Sequence, residues 1–282
     1  MIDKKYLQDF IDNAIREDVG DGDHTSLSCI PAGQKGKARL LVKQDGIIAG
    51  VHVAEQIFKT LEPASTLQIM INDGAPVKNG DVVFTVEATV HTLLMAERLV
   101  LNVMQRMSGI STQTSIYVEK LKGTNSHVLD TRKTTPGMRL FDKMAVKLGG
   151  GMNHRIGLYD MILIKDNHID FAGGIENAIR RANDYCSVNS KRLNIEIEAR
   201  NLADVQTILN TGKIHRIMFD NFDIDTTKKA VAMVNRKYET ESSGNITLDN
   251  IRSYAECGVD YISVGALTHQ IRSLDLSLKA IF

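Results

Sequence analysis

The chain has 282 residues, 43% of them hydrophobic and 24% charged, enough for one large or two modest domains with a buried core. Lys+Arg 34 against Asp+Glu 34 leaves a formal net charge of +0. That balance argues against a general nucleic-acid or acidic-membrane binder, so any anionic ligand must meet locally concentrated cations. Cys29, Cys186 and Cys257 lie far apart with no CxxC pair, no signal-type apolar region opens the chain, and no apolar run nears the roughly 20 residues of a membrane span. Together these predict a cytoplasmic protein with free thiols.

In chain order, residues 3–18 carry Leu7, Phe10, Ile11, Ala14 and Ile15, a stripe that predicts an amphipathic helix, and GDGDHTS follows as a polar loop. Strand-like ARLLVKQDGIIAG, TLQIMIND and DVVFTVEAT surround helix-like HVAEQIFKTL, with turns at NDGAP and KNGD, so the region to about residue 107 reads as a small α+β unit. From residue 91 a long helical pattern runs to a predicted break at Ser108-Gly109, with a second helix to about Lys122. Beyond it, apolar strands alternate with helices: HVLDTR, MILIK, LNIEIEA, RIMFD, YETESS and YISVG. The later ones recur every ~20–25 residues, the spacing of βα units. Six such strands between residues 127 and 266 suit a small parallel α/β barrel; an open doubly wound sheet is the alternative that periodicity does not separate.

Polar residues gather at the C-terminal ends of these strands, the rim where parallel α/β folds bind ligands: Arg132 and Lys133, Lys165, Glu198, Asp220, Ser243-Gly244 and Gly265. Singly each has a bland reading; Glu198 and Asp220 could pair with Arg200 or Arg216. The stretch 130–168 holds Arg132, Lys133, Arg139, Lys143, Lys147, Arg155 and Lys165 against Asp130, Asp142, Asp160 and Asp166, a local +3 in a neutral chain. Arg139, Lys143 and Lys147 sit four apart on a predicted helix 138–148 and read as a solvated face. Arg132, Lys133, Arg155 and Lys165 do not share that spacing and form a candidate pocket for carboxylates or phosphates. Glu198 and Asp220 would repel a lone anion, but suit ribose hydroxyls or a Mg²⁺ shared with a phosphate-bearing substrate. Ser243-Gly244, opening a helix from about Thr247, and Gly265 offer backbone N–H groups to a phosphate. The combination suggests an activated sugar phosphate and an acidic acceptor.

The chain resembles the quinolinate phosphoribosyltransferase family nearly end to end, through REDVGDGDHTS (16–26), AERLVLNVMQRMSGIST (96–112), DTRKTTPGMR (130–139), KLGGGMNHRIGLYDMILIKDNH (147–168), IEIEARNL (195–202), FDNF (219–222), ESSGNI (241–246) and VGALTH (264–269). The resemblance implies an N-terminal α/β sandwich domain, residues 1–107, followed by an α/β barrel catalytic domain, 108–269, with 270–282 returning to the first. It implies that Arg132, His154, Arg155 and Lys165 hold the two carboxylates of quinolinate. Lys133 would reach the phosphoribosyl substrate, and Glu198 and Asp220 would serve the ribose hydroxyls and Mg²⁺, directly or indirectly; these three form the catalytic set. Ser243, Gly244, Gly265 and His269 would surround the 5′-phosphate. Arg98 would reach a neighbouring subunit's quinolinate site, in a homodimer or a hexamer built as a trimer of dimers. Asn245 departs from the family's usual second glycine after ESSG, at a position where Asn tolerates a left-handed backbone.

The reaction so implied joins quinolinate to 5-phosphoribosyl-1-pyrophosphate, giving nicotinate mononucleotide, pyrophosphate and CO₂. The alternatives are a relative acting on a monocarboxylate such as nicotinate, and a Schiff-base aldolase using Lys165. A binding protein that released no pyrophosphate is a third. LGGGMNHR, which first suggests a phosphate cradle, reads better as a tight turn presenting His154 and Arg155 to carboxylates.

Overall fold

A computed structural model describes residues 4–281. The chain forms two compact units. One takes the chain up to Ser115, then Thr135–Gly150 and the chain from Ile271; the other takes Ile116–Thr134 and Gly151–Gln270.

The first unit opens with α1 (Lys4–Val19), which buries Leu7 and Ile11 of the amphipathic stripe. The polar segment after it is only partly loop: the Asp23 side chain accepts from the Ser26 backbone N–H and caps a short helix, α2 (His24–Cys29). Then come β1 (Lys35–Val42), β2 (Gly46–Ile47), α3 (Val51–Leu61), β3 (Thr66–Ile69), β4 (Pro76–Val77) and β5 (Val82–Thr89). β5 stands antiparallel between β1 and β3, and β2 pairs with β4. α3 buries Val53, Ala54, Ile57 and Phe58, and the Phe58 ring meets Phe84 of β5 edge-on at 6.4 Å.

A single helix, α4 (Val90–Lys120), runs through the predicted break at Ser108-Gly109. The small residues serve neighbours instead of a bend. Ser108 Oγ accepts the Ala49 N–H at 2.9 Å and donates to Ala49 O at 3.2 Å. A Cβ on Gly109 would overlap the Arg272 carbonyl.

After β6 (His127–Leu129) comes α5 (Arg139–Leu148). This helix lies in the first unit, where Phe141 packs on Phe10 at 4.5 Å. The barrel range 108–269 read from sequence is thus interrupted by 135–150. The helix also corrects the solvated-face reading: Lys143 is buried, and its neighbour Asp142 takes a two-pronged grip from Arg106 at 2.8 Å.

Then follow β7 (Ile162–Ile164), α6 (Asp166–Ala172), α7 (Ile175–Val188), β8 (Ile195–Ala199), α8 (Leu202–Thr211), β9 (Arg216–Asp220), α9 (Ile224–Val234), β10 (Glu239–Ser243), α10 (Ile251–Ala255), β11 (Tyr261–Ser263), α11 (Ala266–His269) and β12 (Leu276–Ile281). α10 starts later than the expected Thr247, after a turn in which the Thr247 N–H donates to Asn250 Oδ1. β12 pairs antiparallel with β1 at the edge of the first sheet. Among the described residues, no helix is long and apolar enough to cross a membrane.

The six strands of the second unit are parallel, in the order β6-β11-β10-β9-β8-β7. The first strand therefore lies beside the last, the ring order of a barrel with its seam between β6 and β7, and the open doubly wound sheet is set aside. Strand alternation sorts the side chains. On β8, Ile195, Ile197 and Ala199 share one face, and Glu196 and Glu198 the other, yet all five are buried. A strand covered on both faces should read as an apolar run. The buried glutamates mark the side that carries the chemistry.

Candidate active site

The strand ends of the second unit surround a pocket of about 810 Å³, lined by Arg132, Lys133, His154, Arg155, Lys165, Glu198, Asp220, Ser243, Gly244, Gly265 and His269 among others. That is room for two small ligands side by side. Every site residue expected from the sequence lines it except Arg98, which lies exposed on α4 in the first unit.

At one side are the cations. Arg132 and Arg155 come close enough to repel each other: burial first, and then Arg132, hold the Arg155 guanidinium below its ordinary value. Arg132 Nε is buried with no acceptor from the protein. Two guanidinium groups forced together in a half-closed pocket are a receptor for carboxylates. Lys165 Nζ stands 2.6 Å from Glu198 Oε1, so Glu198 pairs with Lys165 and not Arg200; Arg200 goes to Asp170 and Asp204, and Arg216 to Glu239 and Glu241.

A Cβ on Gly149 would overlap the Ser111 carbonyl, and Gly150 takes φ +88. Past the turn, Met152 bridges to Leu129, the His154 N–H donates to Asp130 Oδ1 at 2.9 Å, and Asn153 Nδ2 donates to Asp130 Oδ2 at 2.6 Å. The Arg155 N–H donates to His154 Nδ1 at 2.7 Å, and Arg155 Nη1 to Met161 O at 3.3 Å. The segment is pinned at main chain and side chain alike.

Elsewhere the pocket lining is built on small residues. Gly244 has φ +95, and a Cβ there would overlap Asn221 Oδ1. Asn245, the departure from the family pattern, adopts φ +51 and donates from Nδ2 to Asn221 Oδ1 at 3.1 Å. A Cβ on Gly265 would come 2.9 Å from His269 Nε2 and 3.3 Å from Lys133 Cδ, so the bare glycine lets both side chains converge. Thr268 Oγ1 donates to Lys133 O at 2.8 Å and holds that loop.

From the pocket lining into the barrel runs a group of which the sequence named only His154. His154, Glu196 and Glu241 are buried together, with potential ligand atoms within 4.8 Å of one another. Arg216 Nη1 is 2.9 Å from Glu241 Oε2, and its guanidinium lies 4.0 Å from the Tyr261 ring centre. Burial pushes the Glu196 carboxyl up to about 7; burial, then Glu196 itself, pushes Glu241 up to about 8. Burial works against the Arg216 charge, but the two glutamates outweigh it and raise it. A signal existed: Glu196 and Glu241 each stand two residues before a rim residue, on the same strand face.

Two adjoining family models account for most of the chain: Quinolinate phosphoribosyl transferase, N-terminal domain, matches residues 23–108, and the C-terminal domain of the same family matches 110–279. The chain belongs to the quinolinate phosphoribosyltransferase family. It is 42% identical to quinolinate phosphoribosyltransferase [decarboxylating] 1b of Nicotiana tabacum, over 97% of this chain and 82% of that protein. Among solved structures, NadC from Streptococcus pyogenes superposes with a TM-score of 0.93 at 34% identity, over 100% of this chain and 99% of that one. The nicotinate-nucleotide pyrophosphorylase from Francisella tularensis gives 0.93 at 34%, over 100% and 98%. The two family models meet at residues 108–110, inside the unbroken α4, so the quinolinate phosphoribosyltransferase halves are joined here by one helix.

Proposed function

We propose that this chain transfers the phosphoribosyl group of 5-phosphoribosyl-1-pyrophosphate to quinolinate with decarboxylation, giving nicotinate mononucleotide, pyrophosphate and CO₂. The observation that carries the reading is the crowding of Arg132 and Arg155 in a pocket that Lys165 also lines, a cost that a dianionic acceptor repays. A monocarboxylate would leave part of that charge uncompensated.

Quinolinate sits against Arg132, Arg155 and Lys165, with His154 in the same wall. The 5′-phosphate sits against Ser243, Gly244, Gly265 and His269, where Gly244 and Asn245 open the backbone. Lys133 and the carboxylates of Glu198 and Asp220 lie between, along the ribose and its leaving pyrophosphate. The ring nitrogen attacks the anomeric carbon as pyrophosphate leaves, through an oxocarbenium-like transition state. Positioning and electrostatics do most of the work, and no protein nucleophile is required. The Glu198 and Asp220 oxygens suit Mg²⁺, with Glu198 already engaged by Lys165 and so better matched to ribose hydroxyls or metal-bound water; Mg²⁺ when bound offsets the charge that develops on pyrophosphate. Departure of CO₂ from the 2-position follows, leaving at C2 an electron pair that the quaternised nitrogen stabilises until a proton from water fills it. An amine locked in a 2.6 Å ion pair with Glu198 is not presented as a nucleophile, which disfavours the aldolase reading for Lys165.

The assembly in this reading is a homodimer or a hexamer, with Arg98 completing a neighbour's quinolinate site. Exposed Leu158, Tyr159 and Phe171, the last 91% accessible, support burial against another copy. Mixing Arg98→Ala with Arg132→Ala protein tests it: recovered activity supports shared sites, and none opposes them. The free thiols accord with a reducing cytoplasm.

The deciding experiment measures pyrophosphate release with Mg²⁺ and either quinolinate or nicotinate. Turnover confined to quinolinate supports the proposal. Equal or better use of nicotinate sinks it, and borohydride trapping of a substrate on Lys165 would point to the aldolase.

A further inference from the structure

His154 faces the acceptor wall, yet both of its ring nitrogens are turned toward protein atoms. Nδ1 accepts the Arg155 N–H at 2.7 Å, which uses the lone pair there. A neutral imidazole so held carries its hydrogen on Nε2, and Nε2 lies 2.9 Å from Glu196 Oε2 and 3.6 Å from Glu241 Oε2. Glu196 is fully buried, and its Oε2 meets the Nε2 edge as a close polar contact outside ideal hydrogen-bond geometry. Glu241 is engaged from its far side by Arg216, which is itself braced on Tyr261 and on Glu239 at 3.0 Å. A line of contacts thus runs from the barrel interior through Arg216, Glu241 and Glu196 to the imidazole, and from the imidazole to Arg155.

We propose that Glu196, backed by Glu241 and Arg216, is a positioning residue that holds the His154 imidazole by its Nε2 edge, so that His154 acts on the acceptor through Arg155 and does not itself grip a carboxylate. The proposal rests on the reading of this pocket as a quinolinate site. Arg155 owes its place to three restraints: its N–H on His154 Nδ1, its Nη1 on Met161 O, and the His154 N–H on Asp130. Rotation of the imidazole removes the first and loosens the guanidinium that faces the acceptor. Outer partners of this kind set the orientation of a ligand-contacting group without touching the ligand. A divalent cation among His154, Glu196 and Glu241 is the competing way to satisfy the cluster. It is disfavoured because an N–H edge offers no lone pair, and Arg216 already supplies positive charge at Glu241.

The test combines spectroscopy of the whole protein with kinetics. Long-range ¹H–¹⁵N correlation on ¹⁵N-histidine-labelled protein, assigned with His154→Gln, is expected to show a neutral ring with its hydrogen on Nε2, unchanged by saturating quinolinate. In Glu196→Leu that signature is lost, and KM for quinolinate rises roughly tenfold while KM for 5-phosphoribosyl-1-pyrophosphate stays within about twofold. This variant removes one of two crowded carboxylates and keeps the Arg216–Glu241 pair, which favours a folded product. Glu196→Gln retains an acceptor oxygen and recovers most of the loss. A ring protonated on both nitrogens, a ring that changes state on adding quinolinate, or an equal rise in both KM values overturns the proposal. So does a His154 signal that shifts with added Mn²⁺ and returns with chelator. Failure of the wild-type protein to bind quinolinate removes the functional reading alone, since the ring signal of the free protein and of Glu196→Leu still decides the positioning.

Discussion

Glu241→Gln is expected to alter the pH dependence of stability more than the fold. Glu241 is fully buried, with Arg216 Nη1 2.9 Å from Oε2 and Glu196 beside it, and burial followed by Glu196 raises its carboxyl from the ordinary 4.5 to about 8. The folded protein therefore keeps a proton that the unfolded chain loses at lower pH. Because the folded value is the higher one, the penalty is absent below the unfolded value and grows as pH rises, levelling once pH passes the folded value. Each pH unit in that window costs about 1.4 kcal/mol per retained proton. Between about pH 5 and about pH 8 the wild type should lose on the order of 3–4 kcal/mol relative to the variant, which has no charge to suppress. Glutamine also leaves an oxygen for Arg216 and an N–H toward Glu196, so little packing is lost. Urea unfolding of both proteins at several pH values, read as the difference between them, cancels the titrations outside the coupled Glu196–Glu241 pair. A flat difference, or a wild type that gains on the variant with rising pH, refutes the reasoning; Glu241 would then be ionised throughout and held so by Arg216.

Gly149→Ala places a Cβ against the Ser111 carbonyl and 2.7 Å from Thr114 Cβ, both on α4, and should cost about 3 kcal/mol because backbone does not yield as a flexible side chain does. Calorimetry of the variant checks it, and an unchanged transition temperature contradicts it. Arg132→Ala should weaken quinolinate binding on the order of 100-fold, through loss of a charged grip, while 5-phosphoribosyl-1-pyrophosphate binding changes little; separate titration of each ligand decides, and equal losses refute the assignment. Gly244→Ala, strained at φ +95 and blocked by Asn221, should raise KM for 5-phosphoribosyl-1-pyrophosphate far more than that for quinolinate, whereas Asn245→Gly should shift it by less than about threefold. Steady-state kinetics with each substrate varied in turn tests both, and a larger effect from Asn245→Gly would show that the asparagine contributes more than its tolerance of the left-handed backbone.

Local pattern was enough to place six βα units, the polar ends of their strands and the cationic stretch 130–168, because strand and helix periods and strand polarity are carried by neighbouring residues. The resemblance of whole motifs added the chemistry. Other features depend on residues remote in the chain. Ser108-Gly109 looks like a helix break until the partners of those two residues, Ala49 and the Arg272 carbonyl, are known. Lys143 looks solvent-facing by helical spacing, but the packing of α5 in the first unit buries it. Barrel and open sheet differ by one pairing, β6 with β11, between strands separated by nearly the whole second unit. The buried trio of His154, Glu196 and Glu241 exists only because three separate segments converge within the barrel. The amino-acid sequence by itself determined which residues could serve an acidic acceptor and a sugar phosphate. Tertiary structure decided that they line one pocket and that His154, one of them, also meets Glu196 and Glu241 inside the barrel, since that depends on where distant strands bring their side chains together.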